Sequence, residues 1–416
     1  MFDVLLNEKE KGFKYRAREF VKTIPSSWLR KMDREEIQYP TEYIKAIAKE
    51  NLLGLRFSLE YGGQGMGWVA ETVVIEEFGI LGAALGCLYV LPSIVGEAIY
   101  RFGTEKQKKT YLEPILKGKK FCAEALTEPR GGSDFFGAKL LAEKQGDYFI
   151  LNGQKRFVVG SEGADIFLVY AKTEPKALDP RKSISTFIVE RDFGIQVKHV
   201  YGLLGSRGGG TGRLLFENVE VPEENLVGAL NAGGVIFNQM MIPERMTSAA
   251  GAIGAARGGI EVAARYSTRR KAFGHPIRSF QGVSFKLADS ITLLDAARSL
   301  VYATARHIDA NNGLGGGSIR RMVSETKKFA TDSAWEVINH AMQIMGGIGY
   351  TDVYPVEKLL RDIRLMTIWT GTNEIMNSLI QHEYYTELVM RSQEIEPRDI
   401  EPDAIGAEFE DEKVFE

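Results

Sequence analysis

The chain has 416 residues, 44% hydrophobic and 26% charged, a globular composition long enough for two or three domains. Fifty-five acids against fifty-two Lys and Arg leave a formal charge of −3, so the basic excess that marks a nucleic-acid binder is absent. Two cysteines, Cys87 and Cys122, are too few for a disulfide framework and point to a reducing compartment, here the cytoplasm. No apolar run is expected to reach the length of a membrane span, and the charged N-terminus is unlike a signal peptide. Five scattered histidines without an H-x-x-x-H or C-x-x-C pair argue against a structural zinc site.

Residues 1–120 read as helices. In 8–21, Phe13, Ala17 and Phe20 recur at helical spacing, and Thr104 can cap a helix running through Gln107 and Tyr111. Residues 121–233 read as a mainly β domain: strand-like segments lie between 138 and 172, at 184–189 and at 213–221. Asn152-Gly153 between apolar runs reads as a hairpin turn, because such a turn needs positive φ at both central residues. From 234 to 391 helices return. Residues 246–265 are rich in Ala and Gly, which lets neighbouring helices approach closely. Long helical patterns follow at 282–309, 320–345 and 372–390, with a loop at 313–317. Residues 392–416 form a tail; ten acids and two bases between 393 and 416 make it a solvated one. The fold class is α+β, in the order α, β, α.

Two Gly-rich runs, Gly205-Ser-Arg-Gly-Gly-Gly210 and the Gly251 to Gly254 region, lack the strand–turn–helix setting of a nucleotide fingerprint. Three other stretches are more telling. Ala125-Leu-Thr-Glu-Pro-Arg-Gly-Gly-Ser-Asp134 offers the hydroxyls of Thr127 and Ser133 beside glycines that permit close approach of a planar ligand; it also reads as an ordinary capped loop. Arg269-Arg-Lys-Ala-Phe-Gly-His-Pro-Ile-Arg-Ser-Phe-Gln281 joins basic groups to Phe273 and Phe280, which suits a diphosphate with apolar walls or a solvated helix end. The third runs from Gln343-Ile-Met-Gly-Gly-Ile-Gly-Tyr350 to Ile368-Trp-Thr-Gly-Thr-Asn-Glu-Ile375. Between these, Glu357, Lys358, Arg361 and Asp362 read as structural ion pairs.

Together the three stretches resemble the acyl-CoA dehydrogenase family, in order and spacing from roughly residue 11 to residue 385. The resemblance implies an N-terminal helical domain, a middle β-barrel or sandwich domain and a C-terminal four-helix bundle. It also implies one FAD per subunit and a homotetramer. An acyl-CoA is the implied substrate and electron-transferring flavoprotein the implied acceptor. By the same resemblance, Thr127 and the backbone of Ala125 and Leu126 meet the flavin ring, and Ser133 lies between flavin and acyl-CoA. Arg270, Phe273 and Gln281, with Gln343, Gly346 and Gly347, reach the FAD of a neighbouring subunit. Thr372 and Glu374 meet the adenosine half. Trp369 and Gly371 line the substrate, and Arg245 orients the catalytic region. Tyr89, Val90 and Met240 are further pocket candidates.

The chain departs from the family at the catalytic base. Family members commonly place a glutamate immediately before the Gly-Thr pair; here Thr370 precedes Gly371, and a threonine hydroxyl cannot remove an α-proton at neutral pH. In the isovaleryl-CoA and long-chain branches the base sits instead at a position that Glu244 matches, directly before Arg245. Glu244 also reads as a first-turn helix acid following Pro243. Phe157 and Val159 stand where the family places a tryptophan and a hydroxyl residue against the flavin; Phe157 can still cover an aromatic face, whereas Val159 cannot donate a hydrogen bond. Ala272 replaces a diphosphate-binding threonine. The expected reaction is α,β-dehydrogenation of an acyl-CoA. The alternatives are oxidation of alicyclic or aromatic-ring acyl-CoA with a displaced base, reduction of an enoyl-CoA, and a non-catalytic homologue.

Overall fold

A capping box opens the first helix of the computed structural model, which describes residues 2–314 and 316–391. Asn7 Oδ1 accepts from the Glu10 N–H at 2.9 Å, and the Glu10 carboxylate accepts from the Asn7 N–H at 2.8 Å. This starts α1 (Glu8–Thr23), which turns Ala17, Phe20 and Val21 into the core. There follow α2 (Ser26–Asp33), α3 (Thr41–Lys49), α4 (Trp68–Gly79) and α5 (Ala83–Phe102). The expected cap at Thr104 forms, with Thr104 Oγ1 accepting from the Gln107 N–H at 3.2 Å; it opens α6 (Glu105–Gln107), and α7 (Glu113–Leu116) closes the helical layer.

One expectation needs correction. By length and composition α5 is long and apolar enough to cross a membrane, yet 83% of its apolar window is buried inside the protein. Its Tyr89 stacks on Phe78 of α4 at 4.2 Å between ring centroids. That is the placement of a core helix.

The middle layer holds β1 (Cys122–Ala125), β2 (Leu141–Gln145), β3 (Tyr148–Val158), β4 (Ile166–Lys172), β5 (Ile184–Glu190), β6 (Gln196–Val200), β7 (Gly212–Pro222) and β8 (Leu226–Val227). They form one mixed sheet ordered β6-β7-β3-β2-β4-β5-β8, with β1 parallel to β4. Alternation divides its faces: Ala123, Ala125, Phe167 and Val169 fill the sheet's own core, while Cys122, Leu168 and Tyr170 join the core shared with the helices. Asn152-Gly153 is not the hairpin turn. It lies inside β3 at a bulge against β7, where Asn152 exchanges hydrogen bonds with Asn218. The turn is at Gly146-Asp147, between Gln145 and Tyr148. Apolar residues lie on both sides of a bulge as they do on both sides of a turn, so an Asn-Gly pair cannot by itself separate the two.

The C-terminal layer is α8 (Gly233–Arg269), a hairpin of β9 (Lys271–Ala272) and β10 (His275–Pro276), α9 (Gln281–Ala310), α10 (Gly317–Met345), α11 (Val356–Met366) and α12 (Asn373–Arg391). Helices α8 and α10 run parallel: Arg245 pairs with Ser324, and Gly259 lies against Ile338. The small residues of α8 do bring helices together, since a Cβ on Gly254 would stand 2.2 Å from the Glu76 carbonyl oxygen of α4. Pro243 lies inside α8, ten residues after its start, so Glu244 is not a first-turn acid. The ring of Pro243 is buried in the core, and packing overrides its preference for a helix start. Arg361 pairs with Glu357 and Asp33, and Lys358 with Asp362. Asp362 also accepts from the Ser206 N–H at 2.6 Å, which seats the 205–210 run on α11. The acidic tail lies outside the described residues.

Candidate active site

A narrow apolar cavity of about 50 Å³, open at its mouth, lies between α4, α5 and α8, closed at one end by the turn after α11. Ile75, Ala83, Val90, Ile94, Met366 and Trp369 form its walls. Glu244 enters from α8, and Thr247, Ser248 and Thr370 also line it. Among the lining residues Glu244 is the one carboxylate. Of the pocket candidates, Val90 and Trp369 are walls. Tyr89 is not, because its hydroxyl donates to the Leu52 carbonyl at 2.9 Å. Met240 is fully buried in the core, away from the lining.

The turn that carries Thr370 is held in a costly conformation. Thr370 has φ +55° and Gly371 φ +88°, and a β-branched residue in the left-handed region needs outside support. Lys327 of α10 supplies it: Nζ donates to the Gly371 carbonyl and to Asn373 Oδ1, both at 2.8 Å. Arg245 Nε donates to the Thr370 carbonyl at 3.4 Å, and its Nη1 to Ser324 Oγ at 3.1 Å. Arg245 thus stands behind the turn and not in the cavity. Thr370 Oγ1 lies 3.5 Å from Ser248 Oγ, one helical turn beyond Glu244, so positions 244 and 370 serve the same end of the cavity.

Electrostatics single out Glu244. Burial, and then the carboxyl of Glu124, push its proton affinity well above the usual carboxylate range. Burial followed by Arg320 lowers Arg245 to about 10. Burial followed by Arg245 lowers Lys327 to about 7. The other acids of α4 and α5 are committed elsewhere: Glu71 and Glu97 to Arg56, Glu76 to Arg298, and Glu77 to Arg18 and Arg257. No ion pair involving Glu244 is found among the described residues.

The residues assigned to FAD fall into two groups. In the first, the Arg156 N–H donates to the Thr127 carbonyl at 2.8 Å, placing Thr127 beside Phe157. Phe157 sits at a bulge with φ +58°, half exposed, its ring 4.9 Å from that of Tyr201 and capped by Arg156. Arg156 Nε and Trp369 Nε1 are buried donors without partners among the described residues. Ala125 is buried, Leu126 and Val159 are half-buried, and Ser133 is exposed. An exposed aromatic face with hydroxyls and unpaired N–H groups at its edge suits a flat heteroaromatic ring.

The second group stands at the far end of the bundle. Arg270, Phe273, Gln281, Gln343, Gly346 and Gly347 are exposed where α8 and α10 end. Gly346 has φ +64° and ψ −145°, open only to glycine, and a Cβ there would meet nothing within 4 Å. That backbone cradle with the exposed Arg270 guanidinium suits a diphosphate. Along α8, Glu244 and Arg270 are about 39 Å apart at ~1.5 Å of rise per residue. Arg270 therefore lies far from the cavity wall that Glu244 forms in the same chain. Thr372 caps α12, its Oγ1 accepting from the Ile375 N–H at 3.3 Å, and Glu374 beside it is exposed.

Sequence reasoning missed Lys327 and Glu124. Lys327 lies in a run of charged residues that reads as a solvated helix face, and Glu124 in a short strand without a motif.

The chain matches the acyl-CoA dehydrogenase N-terminal domain over residues 7–119, the middle domain over 123–219 and the C-terminal domain over 231–384. It is 39% identical to an acyl-CoA dehydrogenase of Bacillus subtilis, over 82% of this chain and 89% of that one. It is 33% identical to the caffeyl-CoA reductase-Etf complex subunit CarC of Acetobacterium woodii, over 90% and 97%. Its fold follows the structure of butyryl-CoA dehydrogenase from Megasphaera elsdenii with a TM-score of 0.86 and 30% identity, covering 91% of this chain and 99% of that one. The three-layer fold, the carboxylate-bearing cavity and these matches agree: the chain belongs to the acyl-CoA dehydrogenase family of FAD-dependent oxidoreductases acting on CH–CH groups.

Proposed function

We propose that this FAD-dependent acyl-CoA dehydrogenase uses Glu244 as the base that removes the α-proton of its thioester substrate. The observation that carries the reading is that Glu244 is the one carboxylate on the cavity wall, at the end where Thr370 has replaced the usual glutamate. When bound, FAD supplies the acceptor for the β-hydride. Glu244 takes the α-proton onto a carboxylate oxygen. The backbone N–H of Thr370 donates to the developing enolate oxygen; a side-chain replacement leaves that donor in place. Lys327 and Arg245 keep the turn in position, Trp369 and Val90 exclude water, and Ser133 lies between flavin and thioester.

The Arg270 group serves the FAD of a second copy, which its distance from Glu244 supports, and the assembly is a homotetramer. Phe273, Phe285 and Ile291, exposed near the start of α9, give such an assembly apolar surface to cover. Electrons pass to an electron-transferring flavoprotein, as the Etf complex of the CarC relative supports. The setting is the cytoplasm. A second reading, enoyl-CoA reduction, has its own support: a carboxyl with high proton affinity is also a general acid, and the CarC relative is named a reductase.

Glu244→Gln is expected to lower dehydrogenation by roughly 10²–10⁴-fold while FAD stays bound, read by turnover and flavin absorbance with linear, branched and cyclic acyl-CoAs. Near-wild-type turnover rejects the assignment. Anaerobic bleaching by acyl-CoA against flavin reoxidation by enoyl-CoA separates the two directions.

A further inference from the structure

Glu124 is the cavity's unexplained neighbour. On β1, Ala123 and Ala125 turn into the sheet's own core, whereas Cys122 faces the helices with Leu168 and Tyr170. Period-two alternation turns Glu124 the same way, toward α5 and α8. The register sets it opposite Leu168, beside Tyr170 on the same face of β4. There its carboxyl meets that of Glu244. Glu124 Oε1 is buried, and neither it nor Tyr170 Oη has a well-formed hydrogen bond among the described residues.

A buried carboxylate oxygen without a donor is expensive, and two carboxylates in contact repel. A single proton between the two acids answers both problems. Among the described residues no cation is free to do so. Lys155 of β3 is paired with Glu128 at 2.8 Å, and Arg245 of α8 turns to Thr370 and Ser324. The Cys87 thiol of α5 is pushed up to about 12 by burial and then by Glu244 and Glu124, so it stays neutral. The Tyr170 phenol is held neutral by burial and then by Glu124.

We propose that Glu124 is a positioning residue for the base: its carboxyl shares one proton with Glu244, orients it, and sets the pH range over which Glu244 accepts the α-proton. The inference rests on the reading of Glu244 as base. In dehydrogenation the shared proton stays with Glu124. The α-C–H bond breaks, its electron pair remains on the substrate, and its proton bonds to a Glu244 oxygen. The pair then holds two protons until one leaves to water through the cavity mouth.

The test is the pH profile of kcat/KM for Glu124→Gln, with FAD content read by absorbance. The acid limb reports uptake of a second proton by the pair, which the shared hydrogen bond resists; Gln at 124 cannot hold the shared proton, so the limb moves to higher pH by roughly 1 unit or more. Glu124→Asp, which withdraws the carboxyl by one methylene, moves it the same way by less. A structural role alone lowers rate or stability and leaves the limb in place. An unmoved limb in whichever variant folds with FAD overturns the proposal, as does failure of both to fold. If Glu244→Gln keeps its turnover, the base reading itself fails; if it is inactive and the Glu124 limb is unmoved, only the shared proton fails.

Discussion

Two sets of glutamates line the helices around the cavity, and they have opposite fates. Glu71, Glu76, Glu77 and Glu97 on α4 and α5 are buried and each meets an arginine. Arginine partners hold Glu77 and Glu97 below the usual carboxylate range despite burial. Glu244, on α8, is half-buried on the cavity wall without such a partner, and desolvation followed by Glu124 raises its proton affinity. Desolvation acts on both; the arginine decides. The first set are anions that bind layers together, and the second is an acid able to exchange a proton. This also weighs against a displaced base on α4 or α5 of the kind an alicyclic substrate needs.

The contrast can be broken from either side. The largest effect is expected at Glu244, where Glu244→Gln removes the proton acceptor; adding Thr370→Glu to that variant returns a carboxylate to the same end of the cavity and is expected to recover part of the lost turnover. Next, Arg56→Leu strands Glu71 as a buried charge and leaves Glu97 paired with Arg101; it is expected to cost about 3–5 kcal/mol, seen as a lowered urea midpoint. A smaller loss, about 1–3 kcal/mol by the same measurement, is expected for Gly254→Ala, which wedges α8 from α4. The subtlest concerns Lys327. Its folded pKa of about 7 lies below the unfolded value of about 10.4. Between them the unfolded chain binds more protons, so stability rises with pH from about 7 to about 10. Lys327→Met is expected to flatten that rise.

Much of the fold was legible because its signals are local. Helical spacing, the Thr104 cap and the change to alternation near residue 121 each need only neighbours in sequence. Asn152-Gly153 is a bulge because only Gly153, at φ +141°, takes a conformation that favours glycine, which the residue pair alone does not reveal, and Pro243 sits inside a helix because a core can hold a proline there. In the site, Glu244 was visible only through the family resemblance and the loss at Thr370. Glu124 and Lys327 were invisible: what matters about them is which charges lie across the fold, and β1 is 120 residues from Glu244. The separation of Arg270 from Glu244 likewise emerged only once α8 proved continuous from 233 to 269.

The most direct measurement is deuterium exchange at the α-carbon of a bound acyl-CoA thioester in D₂O, followed by mass spectrometry. It reports proton removal separately from hydride transfer. The wild-type holoenzyme is expected to exchange the α-hydrogen, and Glu244→Gln to fall to the rate of the thioester in buffer. Exchange at the wild-type rate in Glu244→Gln would contradict the assignment of the base.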